Sequence, residues 1–153
     1  MAKEKIRPPS IADFPGITPG GFRFLQQIAE TLRTTYGFHA RVEESAYNWA
    51  LADLTTDAAP HDLDMSAING AKGAYAAVLS VAVRDADAAG SEFIIRPKSF
   101  SGSYNVFKIK TQVANVVCHG TAIVPLDSSL CMEYIADNVT WDAINIGVVG
   151  WFI

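Results

Sequence analysis

The stretch KGAYAAVLSVAVR, residues 72–84, carries Tyr75, Ala77, Leu79, Val81 and Val83 at every second position. All five are apolar, which is the period of a strand that turns one face into a core. The opposite face is small and only partly polar, and Asn69-Gly70 just ahead marks a turn. Outward from this run, residues 104–113 alternate Phe107, Ile109, Thr111 and Val113 with Lys108, Lys110 and Gln112, so that strand has one wet face.

Further β-type runs occupy 46–54, 61–66, 92–96, 121–126, 130–136 and 141–151. Polar turns at 55–60, 99–103, 127–129 and 137–140 separate them. About eight strands at this spacing predict a mainly β fold, an antiparallel β-sandwich of jelly-roll-like kind spanning residues 38–153. The last run differs from the others: Trp141, Ile144, Ile146, Val148, Val149, Trp151, Phe152 and Ile153 place apolar groups on both faces. It predicts a strand buried within the sandwich or against a neighbouring subunit.

Residues 1–21 contain Pro8, Pro9, Pro15, Pro19, Gly16, Gly20 and Gly21, a composition that defeats helix interiors and central strands and predicts an extended arm. The interleaved Ile6, Ile11, Phe14 and Ile17 are more apolar than a solvated linker requires, so the arm is expected to lie against its own domain or a neighbour's. Over 22–37, Leu25, Ile28, Ala29, Leu32 and Tyr36 fall at helical offsets, with Gln26, Gln27, Glu30, Arg33 and Thr34 opposite them. One amphipathic core helix is expected there, opened by Thr18 before Pro19 and closed by a left-handed cap at Gly37.

The chain has 153 residues, half of them hydrophobic and 18% charged, enough to build one domain with apolar surface left over for subunit contacts. Its net charge of −4 and scattered basic residues give no cationic stripe, which argues against nucleic acid as a partner. The start MAKEKIRPPS is charged and proline-rich with no apolar run behind it, so neither a signal peptide nor a membrane span is read. Synthesis in a host cytoplasm is the expectation.

No arrangement of residues names a reaction. His39, His61 and His119 have no metal spacing, and G-x-S-x-G, H-E-x-x-H, paired C-x-x-C and phosphate-loop patterns are missing from the sequence. The reading is therefore non-enzymatic, with no catalytic, cofactor-binding or metal residue assigned. The pairs Asp62/Asp64 and Asp85/Asp87, the latter with Glu92 nearby, have the alternation that lets two carboxylates share calcium, but they are read as solvated turn residues. Cys118 and Cys131 are read as small buried hydrophobes; a hairpin turning at Asp127 and Ser128 would place Cys131 opposite Val124 and disfavour their pairing. Trp49, Tyr75, Tyr104, Tyr134, Trp141 and Trp151 are core rings before they are sugar-stacking platforms. Asn138-Val139-Thr140 fits the glycosylation pattern but is read as a turn into the last strand.

LDMSAI (63–68), VLSVAV (78–83), SYNVFKIKTQVA (103–114) and EYIADNVTWDAINIGVVGW (133–151) resemble a β-sandwich module of bacteriophage virion proteins and related bacterial surface-type proteins. The likeness spans about residues 61–153. Its most distinctive run, with Tyr134, Asn138, Thr140, Trp141, Ile144, Ile146 and Trp151 in order, consists of packing and turn residues. The resemblance implies a fold and a virion setting, not an activity. Together these readings predict a structural, self-assembling subunit of a phage-like particle, such as a capsid decoration, head-fibre or tail-associated protein. It would be homo-oligomeric and in contact with other virion proteins, through Ile6, Ile11, Phe14, Ile17, Trp151, Phe152 and Ile153. The competing reading is a carbohydrate- or receptor-binding module with a glycan as ligand.

Overall fold

A computed structural model describes residues 21, 23–28, 37–41, 47–87, 89–102, 106–137 and 140–153. The chain divides into two compact units, Met1–Gly37 and Phe38–Ile153. In the first, residues 21 and 23–28 are helical, so Gly21 belongs to the helix and not to the arm. Leu25 and Ile28, expected on a buried stripe, are exposed, as is Phe24. Ile6, Ile11, Phe14 and Ile17 and the helix end before Gly37 lie outside the described residues.

The second unit is mainly β, with nine strands among its described residues: β1 (Phe38–Ala40), β2 (Trp49–Ala50), β3 (His61–Asp64), β4 (Ala76–Asp85), β5 (Glu92–Pro97), β6 (Phe107–Lys110), β7 (Cys118–Pro125), β8 (Cys131–Ala136) and β9 (Trp141–Phe152). They form two antiparallel sheets, consistent with a β-sandwich. Sheet I has the order β1-β9-β4-β7, with β2 also on β9, and sheet II has the order β3-β8-β5-β6.

The pairs are nested. β5 pairs with β6, β4 with β7, β3 with β8, and β1 and β2 with β9. Successive rungs of this antiparallel ribbon fall alternately in sheets II and I, and β4–β9 and β5–β8 join the rungs within each sheet.

Alternation decides which side chains the sheets share. In β4, Ala77, Leu79, Val81 and Val83 are fully buried, as the period of two requires. Tyr75 breaks that expectation: it precedes the strand and is 59% exposed. Phe93 and Ile95 of β5 and Met132 and Tyr134 of β8 close the same core from sheet II. In β7, Gly120 leaves room for the Phe107 ring across the core, since a Cβ there would stand 2.6 Å from the ring's Cζ.

The final strand is two-sided for a local reason. Relative to β4 its register shifts twice, between Val78 and Leu79 and between Arg84 and Asp85, leaving Val149 and Asp142 as extra residues. Each bulge reverses the alternation, so Trp141, then Ile144, Ile146 and Val148, then Trp151 are all buried. Trp151 is therefore used in its own core, while Phe152 and Ile153 are half-buried.

Three further expectations are corrected. Residues 46–54 do not make one strand: β2 has two residues, and Leu51–Asp53 is a 3₁₀ turn, where Asp53 Oδ2 accepts the Ala50 N–H at 2.9 Å. Among the described residues of the run 104–113 the strand covers Phe107–Lys110, and Val113 is exposed. β7 and β8 are not a hairpin, because they lie in different sheets. Their connection turns a corner at Asp127, whose Oδ1 accepts the N–H groups of Ser129 (2.9 Å) and Cys131 (2.8 Å), with Leu130 at φ 63°. Cys118 and Cys131 are both free; Cys131 is buried, and burial raises its thiol pKa, while Cys118 is half-exposed.

Candidate functional site

The two sheets turn opposite kinds of surface outward. On sheet II the side chains that alternate with the core residues are ionic around a central Ile94–Ile135 pair. Glu133 Oε2 accepts from Arg96 Nε at 3.1 Å and its Oε1 accepts the Ser99 N–H at 2.9 Å. Asp62 holds Lys98 at 2.6 Å, while Glu92 receives Lys108 at 2.8 Å and Lys110 at 3.5 Å. An open depression of about 410 Å³ on this face is lined by Ile94, Arg96, Gly102, Val106 and Lys108. Both of its cations already have carboxylate partners, so it presents no free charge to an anion.

These ion pairs and a neighbouring loop set the acid response. The Lys108 ammonium bonded to Glu92 holds that carboxyl below its usual range. The Ser66 N–H lowers Asp64 in the same way. His61, with Nε2 2.7 Å from Asp57 Oδ1, lowers Asp57. A carboxyl whose folded value is depressed contributes stability that is full above its ordinary value and lost as pH falls through the folded one. The melting temperature is therefore expected to be level from neutral pH to about pH 4.5 and to fall below it. Scanning calorimetry across pH 2.5–7 checks this, and a fall that begins near pH 6 would assign the acid response to histidine instead.

The outer face of sheet I is different. The pairing register lays out rows Phe38–Phe152–Ala76–Pro125, Ala40–Gly150–Val78–Ile123, Gly147–Ser80–Thr121 and Asn145–Ala82–His119. None of these residues is Asp, Glu, Lys or Arg; the next row of the same face, Ala143–Arg84, carries an arginine at its end. Phe152 lies between the tilted rings of Phe38 (centroids 5.4 Å) and Tyr75 (6.2 Å), and the Phe38 ring also covers Gly150, where a Cβ would strike it. Ile123 is 65%, Phe38 48% and Val149 45% exposed. A soluble β-structured face normally carries charges here, as sheet II does.

The chemistry-bearing residues singled out in the sequence are dispersed. His61, at the start of β3, pairs with Asp57 of the preceding loop, and Thr55 N donates to Tyr134 Oη at 2.6 Å beside it. His39 lies on β1 and His119 on the exposed side of β7. No group of three or more His, Cys, Asp or Glu is placed to hold a metal among the described residues. Asp62 and Asp64 are separately engaged, with Lys98 and with the Ser66 N–H.

Asp85 is not a solvated turn residue. It is fully buried, with Oδ2 accepting from Ser91 Oγ at 2.6 Å and Oδ1 accepting the Asp87 N–H at 3.0 Å. Ser91 N in turn donates to the buried Thr111 Oγ1 at 3.0 Å. Sequence reasoning missed this cluster because its members come from three separate segments; the serine and threonine beside strand ends were its only trace. Tyr134, Trp141 and Trp151 are core rings as expected, Trp49 is partly buried, and Tyr104, Asn138 and Val139 lie outside the described residues. No helix among the described residues is long and apolar enough to cross a membrane.

No family model matches the chain, and no curated protein matches it. Among solved structures, it is similar to the coat protein of tobacco streak virus, with 11% sequence identity over 76% of this chain and 81% of that chain and a TM-score of 0.32.

Proposed function

We propose that the protein is a structural, self-assembling subunit of a phage-like particle, a capsid decoration, head-fibre or tail-associated protein that works by packing against copies of itself and not by catalysis. The observation that carries this reading is the outer face of sheet I, apolar at its Phe38–Phe152 end and free of charge until Arg84 at the other. With strands spaced ~4.8 Å apart and a rise of ~3.3 Å per residue, the charge-free rows over β9, β4 and β7, with the short β1, measure roughly 400 Å². A standard interface takes about 800 Å² from each partner, so one such face supplies about half of a specific contact. The nested pairing of strands supports a jelly roll as the body, an architecture that serves capsid and lectin domains alike. Phe152 and Ile153 lie at the end of that face, and the arm residues Ile6, Ile11, Phe14 and Ile17 are proposed as further assembly contacts.

Light scattering on the full chain is expected to give a multiple of the 16.5 kDa protomer mass, with Tyr75→Lys combined with Val149→Lys lowering that mass. Both positions are exposed, so the change acts on association and not on the core. A wild-type monomer at micromolar concentration overturns the proposal. If that monomer also bound on a glycan array, the carbohydrate-binding reading would replace it.

A further inference from the structure

Four strand edges bound the two sheets, and three of them are guarded. The β6 edge carries Lys108 and Lys110, the β3 edge carries Asp62 and Asp64, and on the far side of β9 the sheet ends in β1 and β2, of three and two residues. Charged side chains and very short strands are the ordinary devices that stop edge-to-edge pairing. The fourth edge, β7, has neither. It is eight residues long and pairs with β4 on one side, and no described residue pairs with its other side. From Val113 to Pro125 the chain contains no Asp, Glu, Lys or Arg, and Val113, Val116, Val117 and Ile123 are exposed.

We infer that the β7 edge is a strand-addition site and that its occupant is β7 of a second copy, paired antiparallel across a two-fold axis to make sheet I continuous through both protomers. The row of backbone N–H and C=O groups on an open edge selects an extended strand, not a helix or a small molecule. The absence of charge along the segment selects a strand that is itself uncharged, and β7 meets that requirement.

Its alternation fixes the pairing further. His119, Thr121 and Ile123 face outward, whereas Ala122 and Val124 face the core. Directly opposite residues must share a face, so in a two-fold pair one residue faces its own copy, and Thr121 at the middle of the strand is that residue. Threonine opposite threonine is a favourable cross-strand pair. The pairing also continues the apolar outer face of sheet I across the axis through Ile123. The inference rests on the self-assembly reading above and names one contact within it: edge pairing closes a dimer, while the outer face supplies the contact by which dimers gather.

Charge reversal at the axis tests it. Thr121 is exposed, so Thr121→Lys and Thr121→Glu are each expected to keep the β-type circular dichroism spectrum. Each alone places like charges opposite one another and is expected to weaken association at least about tenfold in sedimentation velocity. An equal mixture of the two is expected to recover wild-type mass, because the hybrid pair brings lysine opposite glutamate, and Thr121→Ser is expected to behave as wild type. Wild-type association that persists unchanged in both charged variants overturns the edge pairing and leaves self-assembly standing. Loss in both variants without recovery in the mixture overturns the two-fold register. A monomeric wild-type protein overturns both readings together.

Discussion

Replacing Asp85 with alanine is expected to cost about 3 kcal/mol of folding stability, although the residue sits in a segment that reads as a loop. Its carboxylate is fully buried and holds the Ser91 hydroxyl at 2.6 Å and the Asp87 N–H at 3.0 Å, while its own carbonyl accepts the Asn115 N–H at 2.7 Å. These contacts tie together the end of β4, the start of β5 and the segment after β6. Alanine leaves a buried hydroxyl and a partly buried N–H without the acceptor that now receives them, and each unmet group costs about 1–3 kcal/mol. Asparagine is the informative comparison, because its amide oxygen still accepts from the Asp87 N–H and its amide nitrogen donates to Ser91 Oγ after the serine hydroxyl rotates. Asp85→Asn should therefore cost about 1 kcal/mol. Urea denaturation of the two variants separates the cases: equal large losses would show that the negative charge holds the corner, and equal small losses would show that water replaces the network.

Asp85 also marks where the sequence is legible and where it is not. In β4 the strict alternation of Ala77, Leu79, Val81 and Val83 names strand, face and core at once, because a period of two is a property of neighbouring letters. In β9 the same period is present but reversed at Asp142 and Val149, and a bulge has no letter of its own, so the strand reads as apolar on both sides. The corner at 127–130 reads as a hairpin because turn residues look alike whether the next strand returns beside the last or crosses to the other sheet. That choice belongs to long-range pairing of β8 with β3 and β5. β1 has three residues, too few to show any period. Asp85 itself lies in DADAAGSE, whose composition suits a solvated loop. Only Thr111, brought in from another strand end, turns the segment into a buried corner. The proposed assembly surface was legible in part, since the small, weakly polar outer face of β4 is visible in the letters, but its continuation through Phe38, Gly150 and Ile123 required the register.

Phe93→Ala is expected to have the largest effect of any single substitution in the core, about 3–5 kcal/mol. The ring is fully buried at the centre of sheet II, on a strand paired on both sides. It stacks on Tyr134 of β8 at 5.9 Å and meets Trp141 edge-on at 6.4 Å. Trp141 opens β9 in sheet I, so this one ring joins the two sheets as well as filling space between them. Its removal deletes two aromatic contacts of about 0.5–1.5 kcal/mol each in addition to the cavity. Phe93→Leu refills most of the volume while losing the same ring contacts, and should cost roughly half as much as alanine. For a chain of this length the alanine change lowers the melting temperature by about 10 °C. Because association of folded protomers stabilises them by mass action, the shift must be read at several protein concentrations. Phe93 faces away from the outer surface of sheet I and from the β7 edge, so the variant should assemble to wild-type mass at low temperature and then unfold early. A loss of mass without a loss of melting temperature at low concentration would mean that the core at Phe93 positions the assembly surface and contributes little to holding the sheets together.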